Sequence, residues 1–553
     1  MILPRQAADG RAPSSFVALE NCFDRRFWAL LIALSATKVA LAISDPVLVV
    51  YGPHDDSLYA SRAQSLLEGG AFGPYTSSTL LKYPGFSLWL ALGAFTGAPY
   101  LATLNLLHAG GALYLAGALR RAGVAWIAVV AGFLLYLFNP FTFDSGWNRL
   151  LREPLATVLL TVIAAALVHV FARLRDPGLP WPHLVVLTVA FGFASHVREE
   201  DVLLASIPVA AAVILVLTVS GRRRAVAVAC LALPLVASVA GGFAMREWID
   251  ARYGARLLHD FGEGEFPRMM AALRSVQSQR DNRYVMLPQE SLATVRRTVP
   301  EFEPVARRLP RPAPTSVSCE WLGVCTEWAN GWFPFWIKDA AFEAGLTPTL
   351  PEGQAYFRRV RLAIEAACRD GRIACAPKGD ALIPPFDLRW TRALVTEMRR
   401  LGKMTLFPFL SERQWPTSIR IPSLQTQFAR VTGSPVVAAP ETVEESSGLR
   451  RSTMWRVAVD YVYSPLAAVV ILAACAALAV RIWLSAALPR AALLGAVLAI
   501  GAYLMLRFAA LSHIAVFVGR YDPRMVMTTH MLLAFLAPAV LALSVRSVQE
   551  EAD

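Results

Sequence analysis

The chain reads as an all-α polytopic membrane protein with about ten transmembrane helices, juxtamembrane helices beside them and one large external region. Three observations predict this. The 553 residues are 56% hydrophobic with a mean hydropathy of +0.46, an average soluble globular chains do not reach. The apolar residues fall in separate runs of about 17–25 residues, the length that crosses a bilayer. The basic residues gather in short loops between those runs, as the retention of Lys and Arg on one side of a membrane requires. That clustering also disposes of nucleic acid as a partner, despite a net charge of +12.

Taken in order, the expected spans lie at 27–45, 100–119, 124–139, 153–173, 182–197, 202–220 and 225–245, and again at 460–480, 491–510 and 526–545. The run Gly85–Gly97 is too short to cross and reads as a helix at the interface. Ten spans with the N-terminus inside put Arg25, Arg26, Arg120, Arg121, Arg173, Arg175, Arg222–Arg224, Arg481 and Arg490 on the cytoplasmic side. The polar first 25 residues hold no evident cleavable signal. The domain reading is 1–245 as an N-terminal transmembrane module of seven spans, 246–457 as a soluble external domain of mixed helix and strand, and 458–553 as a C-terminal module of three spans.

Four external segments follow from this topology: Val50–Phe86, Asn139–Pro154, the 246–457 region and Ser512–Arg524. The membrane end Ser195–Val202 joins them. All carry charges at the edge of the hydrocarbon, where charge is costly unless it has a use. "HDDSLYASRAQSLLEGG" opens on Asp55 and Asp56. Capping a helix accounts for one acid; the second points to a general base or a cation ligand. Lys82 either snorkels to headgroups or contacts a phosphate. Arg149 and Arg152 share a helical face beside Glu153 and seek an anion. Arg198 and Glu199, and Arg520 with Tyr521, are either solvated turns and anchors or further parts of one site.

Seven cysteines divide by place: Cys22, Cys230 and Cys475 lie in or beside spans, and Cys319, Cys325, Cys368 and Cys375 lie in the external region. Four in one region imply an oxidising compartment and two short-loop disulfides, Cys319 with Cys325 and Cys368 with Cys375. Cross-pairing and a thiolate metal site are the competitors. No phosphate loop, dinucleotide fingerprint or nucleophile elbow appears.

The order of these motifs resembles the GT-C superfamily of integral-membrane glycosyltransferases, which includes the protein O-mannosyltransferases and the lipid A aminoarabinose transferases. A first span is followed by "HDDSLYASRAQSLLEGG", then by "LLKYPGFSLWLALGAFTG". Glu153 fits the acid of that superfamily's second external loop, and "RYDP" its late Arg-Tyr element. The resemblance covers 27–245 well and the last 90 residues loosely. It implies an inverting transfer of a sugar, hexose or pentose, from a polyprenyl-phosphate donor to a glycan, lipid or protein acceptor, on the periplasmic face of a bacterial inner membrane. In that reading Asp55 is the base, Lys82, Arg149 and Arg152 face the phosphate, and Tyr59, Glu153, Arg198, Glu199, Arg520 and Tyr521 bind substrate. Asp56 orients the acceptor or, with Asp55, holds a divalent cation; no other cofactor is implied. A transporter or flippase of a lipid-linked glycan is the rival reading, and a non-catalytic scaffold the third. No inverted repeat supports the transporter.

Overall fold

The computed structural model describes residues 15–43, 45–52, 54–173, 180–218, 221–278, 282–312, 319, 322–376, 386–408, 421–437, 458–484, 492–519 and 524–552. Each of the ten expected spans is a helix. The first is α1, Ser15–Ile43. Among the described residues seven helices are long and apolar enough to cross a membrane: Tyr100–Arg121, Trp126–Phe143, Arg152–Ala172, Arg224–Tyr253, Ala458–Val480, Leu494–Val518 and Arg524–Ser544. The protein is therefore a polytopic, all-α membrane protein.

Two expected spans differ in form. Trp181–Ala194 has 14 residues, about 20 Å at 1.5 Å per residue, and the span expected at 202–220 starts as the 3-10 helix Glu199–Ala205 that leads into the 13-residue α-helix Ser206–Thr218. The first stops where Ser195–Val197 turn away and the His196 carbonyl accepts the N–H of Gly85 at 2.8 Å. Gly85–Phe95, the run judged too short to cross, is an 11-residue helix.

Arg152–Ala172 is buried on nearly every side, as a helix apolar all round requires. It packs along Tyr100–Arg121, Trp181–Ala194 and the helix beginning at Arg524. Close approach depends on small residues: a Cβ on Gly132 would lie 2.2 Å from the Phe535 carbonyl oxygen.

The external region, read as mixed, is helical. The only named strands among the described residues are Val47–Leu48 and Val436–Val437, paired in parallel. In "FPFWIKDAAFE", Phe333, Ile337, Ala340 and Ala341 recur at helical spacing and enter a core. The region also divides. Helices Glu265–Ser275, Gln289–Thr298, Phe333–Glu343 and Leu350–Arg369 close a core of their own around Phe266, Phe302, Phe333 and Phe357. Residues 386–408 and 421–437 instead lend Leu401, Leu424, Phe428 and Val431 to the core of the spanning helices. Disulfides join Cys319 to Cys325 and Cys368 to Cys375.

Candidate functional site

The helix Asp56–Leu67 begins nine residues after Val47. The Val47–Leu48 strand fixes its approach by pairing with Val436–Val437. Its inner face carries Asp56, Tyr59, Ala60 and Ala63, all fully buried. The helix Pro422–Thr432 packs on it, with Gln427 Nε2 donating to Gln64 Oε1 at 2.9 Å. Beside that contact lies a cavity of about 430 Å³ lined by Tyr51, Gln64, Ile421, Ser423, Leu424 and Gln427.

At this end of the bundle four acids meet four bases. Arg149 holds Asp56 with two bonds, Nε to Oδ1 at 3.0 Å and a terminal nitrogen to Oδ2 at 2.5 Å. Arg152 donates to Glu199 Oε2 at 2.5 Å. Arg198 lies 3.1 Å from Glu153 Oε1. Lys82 Nζ lies 3.6 Å from Asp55 Oδ1. The first external loop, the second, and the turn after Ala194 thus converge on one place. Nine of the site residues expected from sequence are in it: Asp55, Asp56, Tyr59, Lys82, Arg149, Arg152, Glu153, Arg198 and Glu199. Arg520 and Tyr521 lie outside the described residues. Arg524, just beyond them, is close enough to act electrostatically on Asp56 and Glu153.

The four pairs are not equivalent. The Asp56 side chain is wholly buried and that of Arg149 is 12% exposed. The Asp55 side chain is 37% exposed and that of Lys82 is 18% exposed, and their separation is that of an ion pair without a hydrogen bond. Three pairs are closed; the Asp55–Lys82 pair is open. This bears on two expectations. Asp56 is in the first helical turn, but its oxygens are given to Arg149, so its role is not capping. Arg149 and Arg152 find their anions inside the protein, in Asp56 and Glu199. Asp55 occupies the N-cap position without making a side-chain cap bond, so capping does not account for it either. Arg149 donates a hydrogen bond to each Asp56 oxygen. Among the described residues no group of three or more His, Cys, Asp or Glu is placed to hold a metal ion.

Electrostatics follow the packing. Burial opposes the charge of Glu199, but Arg152 and Lys82 outweigh it and hold its carboxyl well below the usual range. Burial pushes the Tyr59 phenol well above its ordinary value. The Tyr59 hydroxyl has no hydrogen-bond partner among the described residues, and the Arg152 guanidinium lies 5.8 Å from its ring. Burial lowers the His54 imidazole, with Asp339 working the other way; its ring packs on Phe335 at 4.4 Å.

Sequence reasoning missed the residues that hold Lys82 in place. Arg62 is buried, its pKa brought down to about 10 by that burial. It donates to the backbone carbonyls of Ser78 (3.1 Å), Thr79 (2.6 Å) and Lys82 (3.0 Å). An arginine three residues after the buried Tyr59, on the same helix face, was the available signal. Gly85 was also missed: a Cβ there would meet the His196 carbonyl oxygen at 2.4 Å. From the external core, buried Lys338 pairs with Asp260, whose N–H donates to the Leu80 carbonyl at 2.9 Å. Ser77 donates to Asp339 at 2.6 Å. No periodicity in either segment announces these long-range contacts.

Fold and site together define a polytopic helical membrane protein with a polar, ion-paired cluster at one end of its bundle. No family model matches the chain, and no curated protein does. Among solved structures it is similar to ArnT from Cupriavidus metallidurans bound to undecaprenyl phosphate, at 14% identity and a TM-score of 0.31, over 92% of this chain and 79% of that one. The apo state of the same protein gives 12% identity and a TM-score of 0.31, over 94% and 77%.

Proposed function

We propose that the protein is an inverting glycosyltransferase of the GT-C kind, moving a sugar from a polyprenyl-phosphate donor to an acceptor at the periplasmic face of a bacterial inner membrane. One observation carries the reading: of two adjacent aspartates, one is locked by an arginine and the other stands open beside a lysine. Asp55 accepts the proton of the acceptor's hydroxyl or amine as that group attacks the anomeric carbon. The bond from that carbon to the phosphate oxygen breaks, and the polyprenyl phosphate leaves as an anion. Lys82 turns from Asp55 to the phosphate and offsets the charge that develops there. Direct displacement inverts the anomeric centre. The closed pairs of Asp56, Glu153 and Glu199 keep this geometry without changing charge. The order of the acidic pair, the lysine and the short helix, which resembles the superfamily, supports the same assignment. So do the two disulfides, which suit an oxidising compartment.

The test is turnover of a polyprenyl-phosphate sugar by the full chain in proteoliposomes. Asp55→Asn keeps the shape and loses the base, so turnover falls about 10²–10⁴-fold with melting unchanged. Lys82→Ala weakens donor binding. Full activity in Asp55→Asn would end the catalytic assignment.

A further inference from the structure

The helix Thr391–Leu406 carries a stripe of charge that the site above does not use. Arg392, Arg399 and Lys403 are spaced by seven and four residues, so at 3.6 residues per turn they line one face. All three are exposed, and none has a carboxylate partner among the described residues. The helix's one acid, Glu397, is buried on the opposite side, 4.0 Å from Arg283 and 3.8 Å from Arg400. Exposed Val395 (41%) and Met398 (36%) flank the stripe, and Leu388 (80%) precedes it.

The residues leading into this helix and those along its packed side show where it lies. Trp390 stacks edge-on to Phe517, and Phe386 lies near His513, both at the outer end of the helix Ala492–Val518. Farther along, Gly402 faces Phe508, and His530 Nδ1 donates to the Thr405 carbonyl at 2.7 Å. Between residues 390 and 405 the helix therefore descends beside spanning helices, from their outer ends inward. The nine residues from Phe517 to Phe508 cover about 13 Å, enough to cross one headgroup region of about 5–8 Å and enter the edge of the hydrocarbon, from which long basic side chains reach back to the phosphates. A basic stripe flanked by apolar side chains at that depth meets lipid phosphates.

We infer that Arg392, Arg399 and Lys403 form a docking face for the phosphate of an anionic membrane lipid. Charge complementarity selects this occupant, because the face carries three cations and no exposed acid. The experiment is lipid retention by the purified full chain after detergent exchange, read by native mass spectrometry with phosphatidylglycerol and phosphatidylcholine as probes. A fivefold gain per basic residue at an anionic surface predicts a preference for phosphatidylglycerol of about a hundredfold. The triple variant Arg392→Gln/Arg399→Gln/Lys403→Gln, with only exposed positions changed, brings it to near unity. Arg358→Gln/Arg359→Gln/Arg369→Gln removes equal charge from exposed positions of the external helix Leu350–Arg369 and leaves the preference intact. Three results would overturn the proposal: unchanged preference in the first triple, equal loss in the second, or displacement of the lipid by millimolar inorganic phosphate alone. Retention needs no turnover, so this outcome is independent of the transferase reading.

Discussion

The acid-pair end of the bundle and the external helical unit both contain many ion pairs, and they use them oppositely. In the external unit most pairs are peripheral, the buried Lys338–Asp260 pair beside the first loop being the exception. Glu303 takes Arg296 at 2.7 Å and Arg307 at 2.6 Å, with both arginines exposed. That unit is held by a phenylalanine-rich core, and water solvates its charges whether paired or not. At the bundle end, Asp56–Arg149 and Glu153–Arg198 have little access to water. Removing one partner there strands the other in a medium that cannot solvate it. The same chemical pairing is thus a detail where it is exposed and a structural requirement where it is buried. Asp55–Lys82 belongs to neither kind: it sits in the buried cluster but stays open.

The comparison is most sharply tested at Asp56. Asp56→Asn leaves Arg149 buried with a neutral partner and should cost about 3–5 kcal/mol of stability, seen as a loss of folded protein in a detergent melt. Asp55→Asn, one residue away, should leave the melt unchanged. Equal melts for the two would erase the distinction between locked and open acid. Gly85→Ala comes next. Its methyl group must push the His196 carbonyl away, and overpacking of this kind costs about 1–3 kcal/mol; donor affinity should fall with it, because Lys82 precedes this contact by three residues.

A smaller effect depends on pH. Burial lowers the pKa of His54 from 6.5. The unfolded chain therefore takes up this proton first, and the folded state loses stability as pH falls below 6.5 toward the lowered value. His54→Gln should flatten that part of the stability profile. A profile of unchanged slope would mean that His54 is not a source of the acid sensitivity. The smallest effect belongs to the external unit: Glu303→Gln breaks two ion pairs and should move the melting temperature within experimental scatter. A large drop there would mean that the external pairs are structural too.

Much of this was legible in the sequence, for reasons that are local. The spans follow from apolar runs of membrane length, and the short helix at Gly85–Phe95 from a run that falls short. The disulfide pairs follow from proximity along the chain. Asp55, Asp56, Lys82, Arg149, Arg152, Glu153, Arg198 and Glu199 could be singled out because charge at a hydrocarbon edge is conspicuous. What the sequence leaves open is which acid meets which base. Asp56 and Arg149 are 93 residues apart, and no pattern in either loop distinguishes Arg149 from Arg152 as the partner of Asp56. That choice follows from the packing of Tyr100–Arg121 and Arg152–Ala172, which brings the second loop against the first. The division of the external region is equally non-local, because Leu401 and Phe428 have apolar surroundings only once the spanning helices are assembled. Sequence by itself determined which residues are expensive to place in a membrane. Tertiary structure alone decided which of them are neutralised by a neighbour and which one stays open, because desolvation depends on what is packed around a charge, not on its position along the chain.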